Sequence, residues 1–206
     1  MKKTDIILLS GLIGAILFTN FAGFESKIAG FEREVLRMHI LANSDSKEDQ
    51  ELKIKVRDEL LRHSDEIFSG CANLDDMKEA AKENLEYINN IAIGVISENG
   101  FDYGAESNIV NMECDERVYG DITMPAGSYD ALRITIGEAK GHNWWCVMYP
   151  PLCIPAAECV ESDTSAAQEY FSAEEMNVLE NPQEYRAGFK CAEMFRSLKK
   201  KIAEIW

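Results

Sequence analysis

The stretch that most constrains this chain is residues 129–151, YDALRITIGEAKGHNWWCVMYPP. Leu132, Ile134 and Ile136 alternate with Arg133 and Thr135, the period of a strand with one apolar and one polar face. Gly137 and Gly141 bracket a polar loop that reads as a hairpin, and Trp144–Tyr149 returns as the partner strand. Pro150-Pro151 ends it, because proline donates nothing to a ladder. Such a pair must bury one side, so the rest of the chain has to supply a cover.

The cover is legible as helical stripes. Glu34–Leu41 alternates Leu36, Met38 and Ile40 against Arg37 and His39, a further strand. Ser46 with Asp49 resembles a capping box, and from Lys47 to Phe68 the positions Leu52, Val56, Leu60 and Ile67 share one face of a helix with a charged, solvated back. After Gly70, Asn73 can cap a second helix. Leu74, Met77, Ala81, Leu85, Ile88, Ala92 and Val95 make its stripe, and Asn99-Gly100 closes it. Val110, Met112 and Cys114 alternate as a strand, and Pro125-Ala126-Gly127 is a turn. Residues 160–180 are acidic and weakly helical. Asn181-Pro182-Gln183-Glu184 then opens an amphipathic helix through Tyr185, Phe189, Phe195, Leu198, Ile202 and Ile205. The expectation is an α+β fold: a two-layer domain over residues 31–159 with a mainly antiparallel sheet, a two-helix hairpin and a C-terminal helix. Residues 160–206 form an acidic linker and that helix.

The first 24 residues set the compartment. Lys2 and Lys3 precede the apolar run IILLSGLIGAILF, the pattern of a secretory signal peptide or of an uncleaved N-terminal anchor. Without them the chain carries 19 basic and 35 acidic side chains, against 21 and 36 in the whole. So strong an acidic balance argues against nucleic acid and against anionic lipid head groups. An exported chain with six cysteines has the chance to form disulfides.

Four kinds of chemistry compete for GHNWWCVMYPPLC, residues 141–153. A cysteine hydrolase would use Cys146 and His142, but four residues of strand span ~13 Å, too far for a direct hydrogen bond unless the turn folds back. A zinc site would need closer ligand spacing than Cys146, Cys153 and Cys159 offer, and no metal or other cofactor is expected. A disulfide between Cys146 and Cys153 could staple the Pro150-Pro151 turn to the strand it leaves, if the geometry permits. Finally, adjacent tryptophans on a strand point to opposite faces, so Trp144 and Trp145 cannot both be core on one side. Either Trp145, with Val147 and Tyr149 on its side, faces outward as an anchor for a partner, or the C-terminal helix or the loop after Cys153 covers it.

LRMHILANSDSKEDQELKIKVRDELL, residues 36–61, and YGDITMPAGSYDALRITIGEAKGHNWWCVMYPPLC, residues 119–153, resemble the stage II sporulation protein R family of endospore-forming bacteria. That resemblance implies an exported sporulation signal, not an enzyme. It would be delivered to the space between forespore and mother cell, where it triggers a membrane-bound aspartic protease, stage II sporulation protein GA, to process pro-sigma-E. No catalytic residues follow from it. The expected contact surface is Arg133, Asn143, Trp144, Trp145, Tyr149, Pro150 and Pro151, with membrane contact only through the N-terminal segment. An exported cysteine-dependent hydrolase of peptide or cell-wall material is the alternative.

Overall fold

The computed structural model describes residues 8, 11, 12, 30, 32–119, 121–149, 171–183 and 185. Its elements in chain order are β1 (Leu36–Leu41), α1 (Lys47–Arg62), α2 (Ser64–Ile67), α3 (Leu74–Glu83), α4 (Leu85–Glu98), β2 (Ala105–Cys114), β3 (Arg117–Tyr119), β4 (Ile122–Met124), β5 (Gly127–Ile136), β6 (Asn143–Tyr149) and α5 (Ala173–Glu180). The fold is α+β, with a four-stranded sheet in the order β2-β5-β1-β6 and a separate β3–β4 ribbon.

The hairpin expected from Gly137–Asn143 is not formed. β1 lies between β5 and β6, parallel to the first and antiparallel to the second. The loop therefore crosses the end of β1 and is fastened to it. Lys140 N–H donates to the Asn43 carbonyl at 3.1 Å and Gly141 N–H to the Ala42 carbonyl at 3.0 Å. The Asn43 side chain accepts from the Glu138 N–H at 2.9 Å. Both loop glycines are required here. A Cβ on Gly141 would overlap the Ser44 carbonyl, and one on Gly137, whose φ is +57°, would overlap the Asn43 side chain.

The helices are shorter than the stripes. The 47–68 stripe breaks at His63, the C-cap of α1. The second stripe breaks at Asn84, whose amide donates to the Ala80 carbonyl at 2.9 Å and the Ile67 carbonyl at 3.3 Å. An amide that competes for helical carbonyls interrupts the ladder without ending the apolar face. Ala81 is buried, and Ile88, Ala92 and Val95 still pack as one surface with Leu52, Val56 and Leu60 on Leu36, Met38, Ile40, Leu132 and Ile134. The caps are the expected ones: Ser46 accepts from Asp49 N–H and Asn73 from Asp76 N–H.

The charged back of α1 is not all solvated. Asp49, Lys53 and Arg57, one turn apart, are buried, and each has found a partner. Asp49 accepts from Ser44 at 2.5 Å and Asn43 at 3.0 Å. Burial works against its charge, but these hydrogen bonds, with those of Tyr103 and Ser46, hold its carboxyl below the ordinary value. Lys53 reaches Gln50 and the His142 carbonyl, and Arg57 pairs with Asp58 at 2.6 Å.

The second face of the sheet is covered at one end. The β3–β4 ribbon and α5 bring Ile122, Met124, Met176, Val178 and Leu179 together with Val35, Tyr129 and Val147. The sequence marks residues 160–180 only as weakly helical, yet Ser172 and Glu175 form a full capping box that starts α5. The amphipathic helix expected from Asn181 onward falls almost entirely outside the described residues, as does the 1–24 leader. Among the described residues no helix is long and apolar enough to cross a membrane.

Candidate functional site

The crossed topology builds a row that sequence alternation could not assemble. His39 on β1 is in register with Arg133 on β5 and with Trp145 on β6, and Arg133 is in register with Asn108 on β2. Alternation puts all of them on the second face of the sheet. The row thus reads Asn108, Arg133, His39, Trp145, across all the strands of the sheet. Next to it, toward the ribbon, runs Val110, Ala131, Arg37, Val147.

Trp145 does not stand free. Its indole stacks on the His39 imidazole, with centroids 3.9 Å apart and planes 12° from parallel. Arg37 lies below, fully buried, its guanidinium 5.1 Å from the Tyr129 ring, 5.4 Å from Trp145 and 6.0 Å from Tyr119. Nη2 donates to the Tyr119 hydroxyl at 2.7 Å. Arg37 has no carboxylate partner among the described residues; a buried cation so placed is costly, and three ring faces offset part of that cost. Among the described residues, Nε and Nη1 of Arg37, both ring nitrogens of His39, and Nε of Arg133 are buried without hydrogen-bond partners.

Electrostatics follows from this crowding. Burial, then the positive charges of Arg133 and Arg37, push the His39 pKa down to about 4, so the ring is neutral at pH 7. Burial raises the Tyr119 hydroxyl, with Arg37 opposing. The nearby Cys114 thiol is pushed up to about 11, chiefly by burial. That is the opposite of an activated nucleophile.

The expected contact residues divide between the two faces. Arg133, Asn143 and Trp145 share the second face, half-buried or exposed. Trp144 is on the helix side, with the Arg57 guanidinium 4.4 Å from its ring centre. Tyr149 is there as well, contrary to simple alternation from Trp145. The register jumps from Arg37–Val147 to Leu36–Tyr149, so Met148 is an extra residue, and the bulge turns Tyr149 onto the first core. Pro150, Pro151 and Cys153 lie outside the described residues.

Cys146 is buried at 2% exposure and disulfide-bonded. Its expected partner Cys153 is not among the described residues, so that pairing stays a proposal. His142 is exposed and its Nδ1 meets the Asp45 carboxylate, which also accepts from the His142 N–H. The structure therefore does not bring a thiol and His142 together as a catalytic pair. In the Asn43–Ser46 segment the side chains of Asn43 and Ser44 donate to Asp49, and Ser46 caps α1. Arg37, His39, Tyr119 and Asn108 were not legible as site residues. The only signal of Arg37 and His39 was a basic residue at two alternate positions of β1, ordinary for a strand with one wet face.

Comparison with known proteins gives the family. The family model for stage II sporulation protein R matches residues 32–158, a span that includes the whole four-stranded sheet. Stage II sporulation protein R of Bacillus subtilis (strain 168) is 32% identical over 160 residues, covering 74% of this chain and 71% of that protein. No solved structure matches the chain. With the family match spanning every strand that forms the row, the chain belongs to the stage II sporulation protein R family.

Proposed function

We propose that the protein is an exported sporulation signal that switches on a membrane-bound aspartic protease, stage II sporulation protein GA, and so leads to cleavage of pro-sigma-E. Family membership carries this reading, since the matched residues 32–158 contain the sheet and its second-face row. An activator works by binding the active state of its receptor better than the inactive one. A contact surface held rigidly by a sheet suits that task, because little ordering cost remains to be met on binding. On this reading Arg133, Asn143 and Trp145 face the extracytoplasmic part of the protease. Trp144, Tyr149 and the Cys146 disulfide hold the strand that presents them. The leader at residues 1–24 delivers the protein to the space between forespore and mother cell.

The hydrolase alternative rests on Cys146 and His142, and nothing favours it: the sulfur is oxidised and buried, and the imidazole is turned to Asp45. The deciding experiment is co-expression of this chain with the protease and pro-sigma-E in a non-sporulating host. Cleavage that requires both this protein and an active protease is expected. Cleavage that ignores this protein, or peptide or glycan turnover by the purified chain unaided, would overturn the proposal.

A further inference from the structure

We propose that the polar end of the second face is a seat for a carboxylate, specifically an aspartate or glutamate side chain of the protein partner. This deepens the activator reading and rests on it for the identity of the partner. Three observations converge. First, Arg133 is half-buried and makes no ion pair among the described residues, and its Nε is buried without a partner. Second, the fully buried Arg37 lies in the adjoining row with no ion pair among the described residues, so its positive charge adds to that of Arg133 across the neutral ring of the register neighbour His39. Third, the acid nearest by register, Glu106, makes no ion pair with Arg133 among the described residues, and its Oε1 accepts from the Asn108 amide at 2.8 Å. In a chain of net charge −15 this is a local concentration of positive charge without an acid to pair it among the described residues.

Buried donors without acceptors are rare in folded proteins and call for a partner. A guanidinium fork matches a carboxylate in geometry as well as charge. A single acid placed between Asn108, Arg133 and the His39–Trp145 stack would accept from Arg133 and lie against the indole edge. Because the rest of the surface is acidic, such a seat would fix the register of an acidic partner segment and disfavour docking elsewhere.

The test begins with the purified chain, titrated with a blocked peptide of five glutamates, with its five-glutamine counterpart, and with sodium sulfate. NMR follows the Arg133 Nε–H and the Trp145 indole N–H. The glutamate peptide should shift both signals and the glutamine peptide neither. Arg133→Gln should weaken binding at least tenfold with an unchanged melting temperature, and Arg133→Lys should recover part of it. Absence of shifts, equal binding by Arg133→Gln, or sulfate binding as tightly as the peptide would overturn the proposal, the last by showing a site for simple anions only. In the co-expression assay Arg133→Glu should lose at least tenfold of the cleavage. If wild type drives cleavage and Arg133→Glu does so equally, the carboxylate seat falls and the activator reading stands. If wild type drives none, the activator reading falls, and the titration still decides the seat.

Discussion

Mild acid should loosen this protein through His39. The imidazole is 3% exposed, stacked under Trp145 and flanked by Arg133 and Arg37, and its pKa is pushed down to about 4. In the unfolded chain the same ring titrates near the ordinary value of about 6.5. The unfolded state therefore takes up a proton first as pH falls. The stability tied to a neutral His39 is intact above about pH 6.5 and drains away down to about pH 4. At ~1.4 kcal/mol per tenfold, the whole interval corresponds to about 3 kcal/mol, of which about 2 kcal/mol is lost by pH 5. The assay is urea denaturation of wild type and His39→Phe at several pH values between 7.5 and 4.5. Phenylalanine keeps a ring beneath Trp145 but binds no proton, so wild type should lose about 2 kcal/mol relative to His39→Phe between pH 7.5 and pH 5, whichever is the more stable at the start. Asp49, whose carboxyl is held low, loses its share only at lower pH and does so in both proteins. Curves that stay parallel from pH 7.5 to 4.5 would refute the buried, neutral imidazole.

Two further outcomes follow from the packing. Gly141→Ala should cost about 1–3 kcal/mol in a denaturation experiment, because its methyl group would overlap the Ser44 carbonyl. By contrast Gly94→Ala, in the middle of α4 with nothing near its missing Cβ, should be neutral or stabilising by about 0.5–1 kcal/mol. If Cys146 pairs with Cys153, thiol counting of unfolded, unreduced exported protein should find both protected. Replacing both by serine should then lower stability by about 2.5 kcal/mol, the value for so short a loop.

Much of this fold can be read from local pattern. The apolar stripes, the caps at Ser46 and Asn73, and the alternation in β1, β5 and β6 follow from side-chain period and capping chemistry. The order of the strands does not. A loop of the length of Gly137–His142 serves equally to close a hairpin or to step across one strand. The step depends on Gly137, Gly141 and Asn43 meeting in space. That one difference hid the site: with β1 in the middle of the sheet, Arg37 and His39 are buried on what alternation presents as a wet face. Counting by twos also fails through a bulge, which is why Tyr149 leaves the face of Trp145. On α1, charge at Asp49, Lys53 and Arg57 marks solvent by default, and only their tertiary partners reverse that.

On the proposed reading the second face of the sheet, not the helical face, meets the protease. Site-specific photo-crosslinking in the co-expression system tests it most directly, with the photoreactive residue placed in turn at Asn143 on the second face and at exposed Glu51 on α1. The account predicts a crosslink to the extracytoplasmic part of the protease from position 143 and none from position 51, while both proteins still drive pro-sigma-E cleavage. A crosslink from position 51 with none from position 143 would contradict it.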